Sequence, residues 1–259
     1  MGVGRDAADW IEVKLCRPNS FSFFLRAAGA VWRGGRTSGL RFFCASFRAF
    51  RYLCSMLIKL YPENPNERTV RQVVDVLRNG GVIVYPTDTV YALGCALDQP
   101  KAIDRLRNLR GGKKTTELAI VCAEIGEVAE YARVDNLVFK LLKRNLPGPF
   151  TFILPASSRI SERVMVGRRT VGVRIPDNPI AQAIVRELGM PLVTASVRTD
   201  DVGEEIEYIT DPELIHERYA GVEAVVDGGM GDVHASTVVD CTENGTVEVV
   251  RQGVRELDF

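Results

Sequence analysis

From Asn66 onward, Val70, Val73, Val74 and Leu77 recur at i, i+3, i+4 and i+7, the period of an amphipathic helix, and Gly80-Gly81 follows as a C-cap. Val82-Ile83-Val84-Tyr85 is a short apolar run suited to a buried strand, and Pro86 stops its ladder at the loop Pro86-Thr87-Asp88-Thr89. A second helix is predicted with Asp98 or Gln99 as its cap, Pro100 in its first turn, an apolar stripe of Ile103, Leu106 and Leu109, and a stop at Gly111-Gly112. Leu118 to Cys122 reads as the next strand. Helical stretches follow near 124–132 and 135–145, the latter stopped by Pro147-Gly148-Pro149. Residues 150–154 and 170–174 read as strands, and Asn178-Pro179 opens a helix that ends at Gly189. Leu192 to Ala195 returns as strand, Asp211-Pro212 begins a short helix, and Val225-Val226, Val238-Val239 and 247–250 are late strands. The last two strands are joined through Asn244-Gly245, a hairpin signal.

This interleaving of strands and helices predicts an α/β fold with a twisted mixed sheet flanked by helices. The pattern begins at Leu57-Ile58-Lys59-Leu60, directly after Met56. Residues 1–55 differ in kind. They hold nine basic side chains against three acidic ones, both tryptophans and seven of the eleven phenylalanines, and 21–55 shows no helical or alternating period. The chain's formal net charge of zero is therefore the sum of a basic segment at +6 and a remainder at −6. The expectation is a basic N-terminal extension over 1–55 and one domain over 56–259, with Met56 as the true start. A transit peptide is the rival reading of the extension, and Asp6, Asp9 and Glu12 at its head count against it. Arg26 interrupts the apolar stretch that a secretory signal needs, and no run approaches a membrane span, so a cytoplasmic location is expected.

Six cysteines form no C-x-x-C pair, and His216 and His234 are far apart in sequence, so neither a zinc cluster nor Ser-His-Asp hydrolysis finds support. Gly111-Gly112-Lys113-Lys114-Thr115 is not a P-loop: Arg107 stands where the first glycine belongs and Lys114 where a Ser or Thr should follow the lysine. That run is equally a solvated basic end of a helix. The loop Tyr85 to Gly94 places two threonines, a carboxylate and a phenol after a buried strand, where open α/β sheets bind ligands. The same side chains could instead bond their own backbone in an ordinary turn.

The ordered set YPTDTVYALGC, RNLRGGKK, LPGPFTFIL, VGVRIPDNP, PLVTAS, ASTVVD and VVRQG closely resembles the YrdC/YciO-like family, over about residues 57–256. The PTDT, YALGC, NPIAQA and FTFIL forms are more similar to its YciO branch. The resemblance implies a twisted open sheet with a large concave cavity. For the best-known members it implies L-threonylcarbamoyladenylate synthesis from L-threonine, bicarbonate and ATP with Mg²⁺, linked to threonylcarbamoyladenosine formation in tRNA. Carried over by motif, Thr87, Tyr91, Arg174 and Ser236 would bind substrate. Arg110, Lys113, Thr151, Ser196 and Arg251 would line the nucleotide site. For Arg174 and Arg251 a plain surface charge at a strand end is the alternative.

Two departures bear on activity. The family's K-x-R is Arg110-Gly111-Gly112 here, and its S-x-N is Ser196-Val197-Arg198, where a guanidinium, which only donates, replaces an amide that also accepts. Reduced synthase activity is therefore expected. The competing expectation is a non-catalytic double-stranded RNA- or nucleotide-binding protein using a basic patch of Arg105, Arg107, Arg110, Lys113, Lys114, Arg168 and Arg169.

Overall fold

A computed structural model describes residues 55–111, 118–198, 208–243 and 245–259. The extension read at 1–55, save Ser55, lies outside the described residues, as do Lys113 and Asn244.

Ten strands form one mixed sheet, in the order β1-β8-β2-β3-β7-β4-β6-β5-β9-β10. They are β1 (Met56–Lys59), β2 (Ile83–Tyr85), β3 (Ala92–Ala96), β4 (Ala119–Val121), β5 (Phe150–Pro155), β6 (Thr170–Arg174), β7 (Leu192–Ser196), β8 (Ala224–Asp227), β9 (Thr237–Asp240) and β10 (Glu248–Arg251). Four pairs are parallel (β1 with β8, β8 with β2, β4 with β6, β5 with β9) and the other five are antiparallel. The helices are α1 (Glu67–Arg78), α2 (Pro100–Leu109), α3 (Ile125–Tyr131), α4 (Asn136–Asn145), α5 (Glu162–Met165), α6 (Pro179–Leu188) and α7 (Pro212–Arg218).

Local chemistry sets the helix ends as the sequence indicates. Asn66 accepts from the Thr69 amide at the start of α1, and Asn178 accepts from the Ile180 and Ala181 amides at the start of α6. Gly189 ends α6 with φ 75°, a left-handed geometry suited to glycine. Gln99 occupies the cap of α2 without a side-chain capping bond, and Pro100 after it needs no amide partner.

One stretch read as loop is a central strand. Ala92–Ala96 pairs with β2 on one side and β7 on the other, and every residue is buried. Its sequence, ALGCA, lacks alternation because both faces are covered, and Gly94 is required: a Cβ there would stand 2.7 Å from the Tyr85 ring.

The two faces of the sheet are covered unequally, and this positions the site. Side chains alternate between faces along each strand. The first face carries Val84, Tyr91, Leu93, Cys95, Ile120, Phe150, Phe152, Leu154, Val171, Val173, Val193 and Val239, packed with buried residues of α2, α3, α4, α5 and α7. The second face carries Ile83, Tyr85, Ala92, Ala96, Val121, Leu192, Ala224 and Val226, packed with Leu60 and, among the described helices, with residues of α1 and α6. Beyond those two helices the second face continues with half-buried small and polar residues: Ala119, Thr151, Gly172 and Ser196.

Candidate functional site

The strand register brings five of the residues singled out by motif to that second face. A Cβ on Gly172 would lie 3.2 Å from both Ala119 Cβ and Thr151 Cγ2, so β4, β6 and β5 meet there without bulk. Thr151 Oγ1 is 2.9 Å from Ser236 Oγ, and Arg251 donates from Nη2 to the Ser236 carbonyl at 2.8 Å. Arg174 shares its strand parity with Gly172, and Ser196 shares its parity with Thr194. Thr151, Arg174, Ser196, Ser236 and Arg251 thus form a strip of hydroxyls and guanidinium groups on a floor of small residues.

Arg174 is buried, and its guanidinium is held by the loop between β2 and β3. Nη2 donates to Asp88 Oδ1 at 3.1 Å and to Thr89 Oγ1 at 2.9 Å, while Asp88 Oδ2 accepts from the Asp177 amide at 3.0 Å. A buried arginine requires such a counter-charge. Asn178 ties the same loop down by donating to the Thr87 carbonyl at 3.3 Å. Thr87 is buried, and its hydroxyl closes the local turn, donating to the Val90 carbonyl at 2.7 Å and accepting from the Thr89 amide at 3.1 Å. The turn reading of this loop holds for Thr87, which bonds its own backbone, whereas Asp88 and Thr89 reach the arginine.

Tyr91 stands apart. It precedes Ala92 by one residue, so alternation turns it to the first face, where its ring is buried. Its hydroxyl donates to the Gly229 carbonyl at 2.6 Å and accepts from the Gly228 amide at 3.1 Å, which anchors the loop after β8. Burial pushes its pKa up to about 12. In this arrangement its contacts are structural ones rather than contacts of the strip. Arg110 is the C-cap residue of α2, a helix on the first face, and Lys113 beyond it lies outside the described residues.

Sequence reasoning noted Asp88, Thr89 and Asn178 but not their partners, Arg174 and the Thr87 carbonyl, and it missed the pair Tyr85–Thr194. Tyr85 Oη donates to Thr194 Oγ1 at 3.0 Å, and Thr194 donates on to the Leu93 carbonyl at 3.0 Å. Burial raises the Tyr85 pKa to about 12, opposed by the Thr194 hydrogen bond and by the Arg174 charge. The acidic residue and the second threonine of PTDT were a legible signal for Arg174, because a buried arginine close to strand ends calls for a carboxylate.

Of the expected basic patch, Arg105 is paired with Glu223 at 2.8 Å and Arg107 donates to the Arg163 carbonyl. Arg198 follows Ser196 with the same parity. Its backbone carbonyl accepts from Tyr219 Oη at 2.8 Å, and its Nε is buried without a hydrogen-bond partner among the described residues. No group of three or more His, Cys, Asp or Glu among the described residues is disposed to hold a metal ion, and no helix among them is long and apolar enough to cross a membrane.

A mixed sheet flanked by helices, one face covered by five of them and the other half-buried over a strip of hydroxyls and arginines, defines an α/β fold of the open-sheet class. Comparison with known proteins places it further. The family model for Sua5, YciO and YrdC proteins, described as "Telomere recombination", matches residues 75–253, and the chain belongs to that family. It is 38% identical over 205 residues to YciO of Escherichia coli, covering 78% of this chain and 98% of that protein. The crystal structure of E. coli YciO superposes with a TM-score of 0.73 over 78% of this chain and 97% of that one. The threonylcarbamoyl-AMP synthase of Vibrio vulnificus is 30% identical over 187 residues, covering 71% of this chain and 98% of that enzyme. Sua5 of P. abyssi, solved in complex with L-threonine, matches with a TM-score of 0.69 at 27% identity, covering 77% of this chain and 58% of that one.

Proposed function

We propose that the protein is a threonylcarbamoyl-AMP synthase of the YciO type, working on L-threonine, bicarbonate and ATP, with an activity reduced by its departures from K-x-R and S-x-N. The observation that carries this reading is the strip Thr151, Ser236, Arg251 and Arg174 on the open sheet face, in a chain whose relatives include a named threonylcarbamoyl-AMP synthase.

The amine of threonine attacks bicarbonate, forming a C–N bond and releasing water to leave a carbamate. A carbamate oxygen then attacks the α-phosphorus of ATP, the bond between the α-phosphorus and its bridging oxygen breaks, and pyrophosphate departs. No covalent nucleophile is needed. The site's work is to hold two oxyanions in line and to offset charge at the phosphates, for which rigid donors suffice. Arg174 would take a carboxylate, and Arg251 with Thr151 and Ser236 would take the nucleotide's phosphate oxygens. No group of three or more His, Cys, Asp or Glu among the described residues would hold Mg²⁺, so the ion would enter on the ATP phosphates and, when bound, would offset charge on the pyrophosphate.

The alternative of broad RNA binding is weakened by the engagement of Arg105 and Arg107 within the fold. The test is incubation of the full chain with ATP, L-threonine, bicarbonate and Mg²⁺. Formation of threonylcarbamoyl-AMP with stoichiometric pyrophosphate supports the reading, and no product above a protein-free blank overturns it.

A further inference from the structure

We propose that Asp88 is a positioning residue for Arg174: with Thr89 it turns that arginine into a fixed, charge-compensated donor that selects a single carboxylate, here the amino-acid substrate's, over a polyphosphate. The inference rests on the synthase reading above. Three observations carry it.

First, the geometry is over-determined. Asp88 and Arg174 are both nearly inaccessible, with side-chain exposures of 8% and 7%. Two acceptors, Asp88 Oδ1 and Thr89 Oγ1, converge on the single nitrogen Nη2. The second carboxylate oxygen is bound to the Asp177 amide, so the carboxylate is itself pinned between the β2–β3 loop and the turn after β6. Thr89 is fixed in turn, its hydroxyl 3.1 Å from that of Thr87. The guanidinium plane therefore has one setting.

Second, that setting leaves Nε of Arg174 buried without a hydrogen-bond partner among the described residues. A buried charged donor lacking a partner is a group that a ligand oxygen would satisfy. Third, the two arginines of the strip differ in their partners. Among the described residues Arg251 is held by the carbonyl and hydroxyl of Ser236, both neutral, with no carboxylate paired to it. Arg174 is neutralised by Asp88, so its end of the strip offers directed N–H groups with no net charge. A zwitterionic amino acid matches the compensated end, and a polyphosphate matches the uncompensated one.

The test uses the full chain and two near-isosteric variants: Asp88→Asn, which removes the charge, and Thr89→Val, which removes the second acceptor. Calorimetry gives Kd for L-threonine and, separately, for ATP. A ¹H–¹⁵N spectrum follows the Arg174 guanidinium protons, assigned with Arg174→Lys. We expect Asp88→Asn to weaken L-threonine by about tenfold or more, Thr89→Val by roughly threefold to tenfold, and ATP by less than about twofold in both, as loss of hydrogen bonds to one charged group would give. The Nη2 protons should be resolved in the parent and collapse in Asp88→Asn. A merely structural role would weaken both ligands together, and equal losses, or L-threonine binding unchanged in both variants, overturn the proposal. If Asp88→Asn does not fold, Thr89→Val decides. Should the parent bind no L-threonine, the synthase reading fails, and the spectrum still judges the positioning: Nη2 signals unaltered by Asp88→Asn refute it.

Discussion

Gly172→Ala separates the stability of the sheet from the use of its open face. Gly172 lies in β6 between Ala119 and Thr151, and its backbone is outside the left-handed region, so an alanine is conformationally allowed. The added Cβ would sit 3.2 Å from Ala119 Cβ and 3.2 Å from Thr151 Cγ2. Carbon atoms prefer about 3.5–4.0 Å, so each neighbour must yield by a few tenths of an ångström. Overpacking typically costs about 1–3 kcal/mol, and replacing a strand glycine by alanine recovers about 0.5–1 kcal/mol. The net is a destabilisation of about 1 kcal/mol, or about 2–4 °C in Tm for a domain of this size. The variant should therefore fold. Its methyl, however, rises from the floor on which the ligand is argued to lie, and displacing reacting groups by about 1 Å can cost about a hundredfold in rate. The assay pairs thermal unfolding with initial rates of pyrophosphate release. The expected outcome is a small Tm shift with kcat/KM lowered about tenfold to a hundredfold. Unchanged kcat/KM alongside that Tm shift would refute the assignment of this face as the ligand surface.

Three further outcomes follow from the same geometry. Arg251→Met should raise KM for ATP by about tenfold, as expected for loss of a charge-assisted contact, and leave the urea midpoint nearly unchanged because β10 is an exposed edge strand; an unchanged KM would remove Arg251 from the site. Asn178→Ala removes the acceptor for two α6 amides and the donor to the Thr87 carbonyl, and should cost about 1–2 kcal/mol by urea unfolding, a loss under about 0.3 kcal/mol being contrary. Burial lifts Cys95 from 9.0 to about 12 and Tyr85 and Tyr91 from 10.0 to about 12, so the folded state keeps protons that the unfolded chain releases. Their contribution to stability is whole below about pH 9 and is lost as pH rises toward 12, which urea midpoints taken at intervals from pH 8 to 11 should show as a decline.

The helices and most strands were legible because their signals are local. Val70, Val73, Val74 and Leu77 fall on one helical face whatever surrounds them, and Asn178-Pro179 announces a helix start through its own chemistry. The strand β3 was not, since Ala92–Ala96 is buried on both sides and follows a run rich in turn formers. The motifs named all five of the strip's residues, but that these share a face depends on strand order. β5 lies between β6 and β9, and this alone puts Thr151 beside both Gly172 and Ser236. Tyr91 shows the converse: its neighbours in the motif are near the site, yet one residue of strand parity carries its ring to the opposite face. Asp88 was visible as a carboxylate, and its partner lies 86 residues away, a distance that no local rule spans.

The central claim is that the open face joins threonine, bicarbonate and ATP. It is tested most directly by supplying the full chain with ¹³C-bicarbonate, L-threonine, ATP and Mg²⁺ and analysing the products by mass spectrometry. The expected result is threonylcarbamoyl-AMP carrying one ¹³C, with release of an equal amount of pyrophosphate, and with both lost in Arg174→Met. Absence of labelled product under conditions where ATP and L-threonine demonstrably bind would contradict the account.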